Sequence, residues 1–168
     1  NISSLIHKES GRAVAPEGEV LNKIIAYTDQ PFNHEAWDVK AYFDQQYTEI
    51  NDVSAIEVTE NGPVRAVIKV TRKFLASTIE QSFIFYADID RIDIDYKVDW
   101  KEKNILLKAD FPVDVNATSA TYDIQFGNYR RTTTRNTLWD FAQFEVVGHK
   151  WVDLSDNGFG LSVLNDCK

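Results

Sequence analysis

The sequence predicts an all-β protein, an antiparallel two-sheet sandwich, on three observations. Between residues 91 and 100, Ile92, Ile94, Tyr96, Val98 and Trp100 alternate with polar residues, the period-two pattern of a strand with one buried face. Apolar runs recur at roughly ten-residue intervals, the spacing of a sandwich and not of βα units. Turn residues separate the runs, most clearly Glu60-Asn61-Gly62-Pro63.

The elements follow in chain order. Residues 1–6 read as a strand, and 9–19, with Gly11, Pro16 and Gly18, as a loop. Residues 20–27 are apolar enough for a second strand. Residues 29–37 read as a loop ending in a packed Trp37. Residues 38–47 fit either a short helix or an irregular strand. Strands are expected at 50–59, 64–74, 78–86, 91–100 and 105–109, with a turn at 101–104. Pro112 ends or edges the last of these, because proline cannot donate to a ladder. Residues 120–126 form a further strand closed by Gly127. Residues 131–136 are too polar for a core strand and read as a loop. Residues 144–154 read as an aromatic strand, with His149 and Trp151 two apart on one face. Gly158-Phe159-Gly160 is a tight bend before a final apolar strand. No internal repeat or low-complexity segment interrupts the pattern.

Composition narrows the function classes. The 168 residues fit one domain, 1–168, able to bury roughly 70% of its unfolded surface. Lys and Arg number 18 against 26 Asp and Glu, a net charge of −8. That excludes nucleic acid and an anionic membrane as partners, since both require a basic face. No apolar run approaches the roughly 20 residues of a membrane span, and no basic-then-apolar leader is visible. The single cysteine, Cys167, rules out an internal disulfide framework and points to a cytoplasmic, bacterial origin. Two Asn-x-Ser/Thr triplets, Asn1-Ile2-Ser3 and Asn116-Ala117-Thr118, read as chance matches. The absence of any Met, and apolar strands close to both ends, predict an excised piece of a longer polypeptide.

The residues offer three candidate chemistries. Asp93, Asp95 and Asp99 share one strand face, and a glycosidase needs paired carboxylates, yet strand exteriors carry Asp simply because they are solvated. His7, His34 and His149 are far apart, without the short paired spacing of a zinc site. The best binding candidates are Arg135, Asn136, Trp139 and Asp140, joined by His149. Sugars offer paired hydroxyls to Arg, Asn and Asp and an apolar C–H face to an aromatic ring. The plainer reading packs Trp139 in the sandwich, pairs Arg135 with Asp140, and makes His149 a satisfied core residue.

The same stretch carries a family resemblance. Arg135-Asn136-Thr137, Trp139-Asp140, Phe144-Glu145-Val146, His149, Trp151, Asp153-Leu154-Ser155, Gly158-Phe159-Gly160 and Leu164-Asn165-Asp166-Cys167-Lys168 resemble the C-terminal region of the family 38 glycoside hydrolases, which are α-mannosidases. So do Asp29-Gln30-Pro31, Ala36-Trp37-Asp38, Gly62-Pro63-Val64-Arg65-Ala66, Val98-Asp99-Trp100, Leu106-Leu107-Lys108 and Phe111-Pro112-Val113-Asp114. The likeness covers nearly the whole chain. It departs at Thr132, where the family usually has Pro, at Thr134, often His, at Leu138, commonly small and polar, and at Phe159, frequently Tyr. Any family role of an imidazole at position 134 is therefore not carried over.

The resemblance implies a large two-sheet sandwich of the galactose mutarotase-like type. It implies a parent enzyme that is a retaining, exo-acting α-mannosidase, with zinc and both catalytic carboxylates in an N-terminal barrel domain. No stretch here looks like that barrel, so no catalytic residue and no metal ligand is carried over. The segment would support the catalytic domain and edge the substrate cleft, with mannose-containing glycans and that domain as its partners. Alone it is expected to be inactive and to self-associate through an uncovered apolar face, giving a homo-oligomer. A freestanding carbohydrate-binding module is the alternative, and a mutarotase-like epimerase a weaker one, since it needs an acid–base partner for His149. Asn165, Asp166 and Lys168 receive no role from residue type.

Overall fold

The structure, a computed structural model, describes residues 1–34 and 37–166. Ala36 of the Ala36-Trp37-Asp38 motif, the Cys167 thiol and Lys168 lie outside the described residues. The elements in order are β1 (Ile6–His7), β2 (Arg12–Ala13), β3 (Lys23–Thr28), a 3-10 turn (Phe43–Gln45), β4 (Tyr47–Glu49), β5 (Val53–Asn61), β6 (Arg65–Phe74), β7 (Ser77–Tyr86), β8 (Ile92–Asp99), β9 (Ile105–Asp110), β10 (Ser119–Ile124), β11 (Gly127–Thr132), α1 (Leu138–Ala142), β12 (Trp151–Ser155) and β13 (Gly160–Leu164). The all-β, antiparallel class read from the sequence is the class observed. The chain forms two compact units, one of Asn1–Asn22 with Asp110–Lys168 and one of Lys23–Ala109.

In the Lys23–Ala109 unit, four long strands form a meander in the order β5-β6-β7-β8. The β6–β7 ladder runs without a break from Arg65 opposite Tyr86 to Phe74 opposite Ser77. Leu75 turns that hairpin at a φ of 50°. The Glu102 carboxylate steadies the hairpin, accepting from Ala76 N at 2.9 Å and Ser77 Oγ at 2.7 Å. A second sheet, ordered β4-β3-β9, supplies the other layer. Ile24 and Ala26 of β3, with Ile50, meet the fully buried Ile79 of β7, and Phe74, Trp100, Ile105 and Leu107 pack around them. The Phe74 and Trp100 rings stack at 5.8 Å. A buried polar pair crosses this core: Arg72 Nε donates to Gln81 Oε1 at 2.8 Å, and its Nη1 donates to Ile50 O at 3.1 Å. Burial lowers the pKa of the Arg72 guanidinium, against the pull of Tyr96.

In the other unit the sheet order is β11-β10-β12-β13, beside the small β1–β2 hairpin. The hairpin from β12 to β13 turns on Asp156, whose Oδ1 accepts from the amides of Gly158 and Phe159, each at 3.1 Å. A Cβ at Gly160 would come within 2.5 Å of Ser155 Cβ, so the return strand needs glycine there. Arg12 ties the N-terminal segment to this turn: its guanidinium lies 3.7 Å from Asp156 and 4.4 Å from the Phe159 ring centre.

Several expectations change. The strand expected at 1–6 shrinks to a bridge from Ile2 to Leu21 and the two residues of β1. Asn22, at a φ of 58°, breaks the run at 20–27, so β3 begins at Lys23. The open choice at 38–47 resolves into a 3-10 turn followed by β4. Trp37, expected to be packed, is 91% exposed. The strand expected at 144–154 survives only as β12, while β11 and α1 occupy residues read as a turn, a loop and unassigned chain.

Candidate functional site

The candidate site is built on the β10–β11 hairpin and the excursion that follows it. A two-residue loop, Gln125-Phe126, joins Ile124 to Gly127, with Phe126 at a φ of 60°. Tyr122 pairs with Tyr129, and Ala120 with Arg131, so those four residues share one sheet face. Arg131 donates to Tyr129 Oη through one terminal nitrogen and to Gln143 O at 3.4 Å through the other. The guanidinium thus bridges the hairpin to the segment after α1.

The strand ends in a run of three threonines, each with its hydroxyl held. Thr133 Oγ1 donates to Ala117 O at 2.7 Å, and its amide donates to Thr118 O at 3.1 Å. Thr132 Oγ1 accepts from the Thr134 amide at 3.1 Å and lies 2.9 Å from Thr134 Oγ1. The chain then enters α1 through a capping box. Thr137 Oγ1 accepts from Asp140 N at 3.1 Å, and Asp140 Oδ2 accepts from Thr137 N at 3.2 Å and from Thr137 Oγ1 at 2.8 Å. After α1 the chain passes Tyr122 so closely that a Cβ at Gly148 would meet its Cδ1 at 3.3 Å. His149 N then donates to Asp123 O, and Lys150 N to Asp123 Oδ2, both at 3.1 Å, before β12 begins.

These segments enclose a cavity of about 180 Å³ lined by Tyr122, Arg131, Thr132, Thr133, Thr134, Arg135, Asp140, Gln143, Phe144 and Val146. Burial raises the Tyr122 phenol pKa, and the nearby Arg131 charge opposes that rise. The wall is mostly polar, with two guanidinium groups and several hydroxyls, one carboxylate, and an apolar side at Phe144 and Val146. That mixture suits a ligand rich in hydroxyls with an apolar C–H face. Hydrolysis with retention needs two carboxyl groups about 5 to 5.5 Å apart; among the described lining residues the carboxylate is that of Asp140.

The structure thus brings Arg135 and Asp140 of the expected set to one cavity. Asn136, Trp139 and His149 do not line it. All three are exposed, Trp139 by 73%, so the packed-Trp alternative fails. His149 precedes β12 and is joined to its surroundings through its backbone, whose carbonyl accepts from Asn165 Nδ2 at 2.8 Å. That bond gives Asn165 a role the residue type did not reveal: it closes the open end of the β12–β13 hairpin. The lining residues missed were Tyr122, Arg131, the three threonines, Gln143, Phe144 and Val146. The local signal in this stretch was the pattern Thr137-x-x-Asp140, which marks a helix start.

Two of the carboxylates on the β8 face have plain partners. Asp93 accepts from Tyr86 Oη at 2.7 Å and pairs with Arg91 at 2.9 Å, and Asp99 pairs with Lys101 at 3.0 Å. Among the described residues no three His, Cys, Asp or Glu side chains converge as metal ligands. No helix among them is long and apolar enough to cross a membrane.

Comparison with known proteins supplies the wider setting. The profile of the glycosyl hydrolases family 38 C-terminal domain matches residues 1–168. The chain is 40% identical to "Alpha-mannosidase G" of Dictyostelium discoideum, over 99% of this chain and 16% of that protein. It is 35% identical to "Alpha-mannosidase 2C1" of Homo sapiens, again over 99% of this chain and 16% of that protein. It is 33% identical to "Alpha-mannosidase" of Saccharomyces cerevisiae, over 88% of this chain and 14% of that protein. The chain therefore spans about one-sixth of the length of the relatives it matches.

Proposed function

Since the chain belongs to the C-terminal domain family of the family 38 glycosyl hydrolases, we propose that it is the C-terminal β-rich segment of a longer α-mannosidase that removes terminal α-mannosyl residues from glycans. One observation carries this reading: the match covers the whole chain yet only 16% of the first α-mannosidases it resembles. The catalytic carboxylates and the zinc of the parent then belong to polypeptide outside these residues. The contribution of this segment is to support the catalytic domain and to edge the substrate cleft. Arg135, with Arg131 and the threonines beside it, is the part best equipped to meet sugar hydroxyls. A cytoplasmic, bacterial setting accompanies the proposal and rests on the single cysteine.

A second reading, a freestanding carbohydrate-binding module, draws on the exposed aromatic rings of Phe32 and Trp37, 87% and 91% accessible, since such rings can stack on a pyranose. The deciding experiment is hydrolysis of an aryl α-mannoside by the full-length parent and by the 168-residue segment, with zinc supplied to both. Activity is expected in the parent alone. Turnover by the purified segment would overturn the assignment of the chemistry to another domain. Mannoside binding by the segment, with no hydrolysis by any longer product of the same gene, would favour the module.

A further inference from the structure

The sheet β5-β6-β7-β8 has one apolar face, and its rows can be followed across all four strands. One row runs Val58, Ile68, Phe83, Ile94, and the next runs Ile56, Val70, Gln81, Tyr96. Directly paired residues share a face. The middle of both rows is covered: Phe83 is 4% exposed, Val70 7% and Gln81 0%. Both ends are open, the β5 end the more so, with Ile56 at 67% and Val58 at 65% against 42% for Tyr96 at the β8 end. The hydrophobic surface of the core therefore continues onto an edge strand and stops there uncovered.

β5 is nine residues long and forms the margin of its sheet. A long apolar edge strand is a liability in a free protein, normally blunted by charge, by bulges or by a cover. Here the charges sit elsewhere. Glu57 falls on the opposite face, opposite Lys69, and Glu60 is held by Arg65 in a two-pronged pair at 2.8 Å. Register shifts occur between Val53 and Ala55 and between Val58 and Glu60, so the bulges flank the Ile56–Val58 stretch without interrupting it. Nothing in the stretch itself protects the two apolar side chains.

We propose that Ile56 and Val58 form a docking stripe for the remaining polypeptide of the same enzyme. This rests on the reading that the chain is one segment of a longer α-mannosidase. Its support is the amount of chain in the relatives that lies outside the match, since the match covers 16% of each of the first two. The occupant presents an apolar surface to this face, which prolongs the rows already packed on β6 and β7.

The test is cysteine labelling in the full-length parent. Ile56→Cys, Val58→Cys and Glu57→Cys are made singly, and maleimide modification of each is followed by peptide mass spectrometry. Glu57→Cys reports the opposite face of the same strand. Labelling at positions 56 and 58 should be at least tenfold slower than at 57, with the difference abolished in urea. Equal rates at all three positions in the folded parent would overturn the proposal. Equally slow labelling at 57 would also overturn it, because the cover would then not select the apolar face. Protection that appears only as protein concentration is raised would assign the stripe to a second copy and overturn it too. The labelling contrast does not depend on activity. A parent that lacks α-mannosidase activity would sink the functional reading while leaving the labelling result to judge the stripe.

Discussion

The two four-stranded sheets of this chain are built on different terms. In β5-β6-β7-β8, strands of eight to ten residues follow one another in sequence order. In β11-β10-β12-β13 the strands have five or six residues, and the first two are separated from the last two by an excursion carrying α1 and the cavity. The long meander holds its rows through side chains alternating between core and solvent. The short sheet depends on particular side chain–backbone bonds: Asp123 on Lys150, Asn165 on His149, Asp156 on its own turn, Thr137 with Asp140. A regular region tolerates a general pattern, whereas an irregular one needs named residues. The surface most suited to a ligand lies in the irregular one, as expected where a rigid sheet presents loops.

This contrast can be broken most sharply at Ile79, which is 0% exposed. Ile79→Ala should cost about 3 kcal/mol through lost burial and the cavity left behind. The loss is read as reduced amide-exchange protection in β6, β7 and β8 of the full-length protein. Leu138→Ala, at a side chain 88% exposed in α1, should change stability by no more than about 0.5 kcal/mol. A large effect at Leu138 would mean that the excursion is packed as firmly as the meander, and the contrast would fail.

A middle-sized effect is expected at the capping box. Thr137→Ala removes both hydroxyl bonds to Asp140 and should cost about 1 kcal/mol, confined to α1. Faster exchange at the amides of residues 140–143, with β12 unchanged, is the expected signature. Equal loosening of β12 would show that the helix and the sheet behave as one cooperative piece.

The smallest effect concerns acid. Amide bonds from Gly158, then Phe159, with the Arg12 charge beside them, hold the Asp156 carboxyl below its ordinary pKa. The folded state therefore binds fewer protons here than the unfolded chain does. Its stabilising contribution is complete above the unfolded carboxylate pKa of about 3.9 and is lost as pH falls through the lower folded value. The difference in thermal midpoint between wild type and Asp156→Asn should shrink as pH drops below about 4. A difference constant across that range would mean that the turn does not depend on the carboxylate charge.

The sequence by itself determined the all-β class, the strand–turn–strand order from 64 to 109, and the family. It did so because alternation and turn chemistry are local, and because the β6–β7 and β7–β8 pairings join neighbours in sequence. Only the tertiary structure decided which polar residues meet. Arg131 reaches Gln143 and Asn165 reaches His149 across 12 and 16 positions, contacts no short window contains. The tertiary structure also decided that Trp37 and Trp139 stand in solvent and that the apolar rows end uncovered at Ile56 and Val58. A side chain's alternation tells which face it occupies, but whether that face is covered depends on what the rest of the polypeptide lays over it.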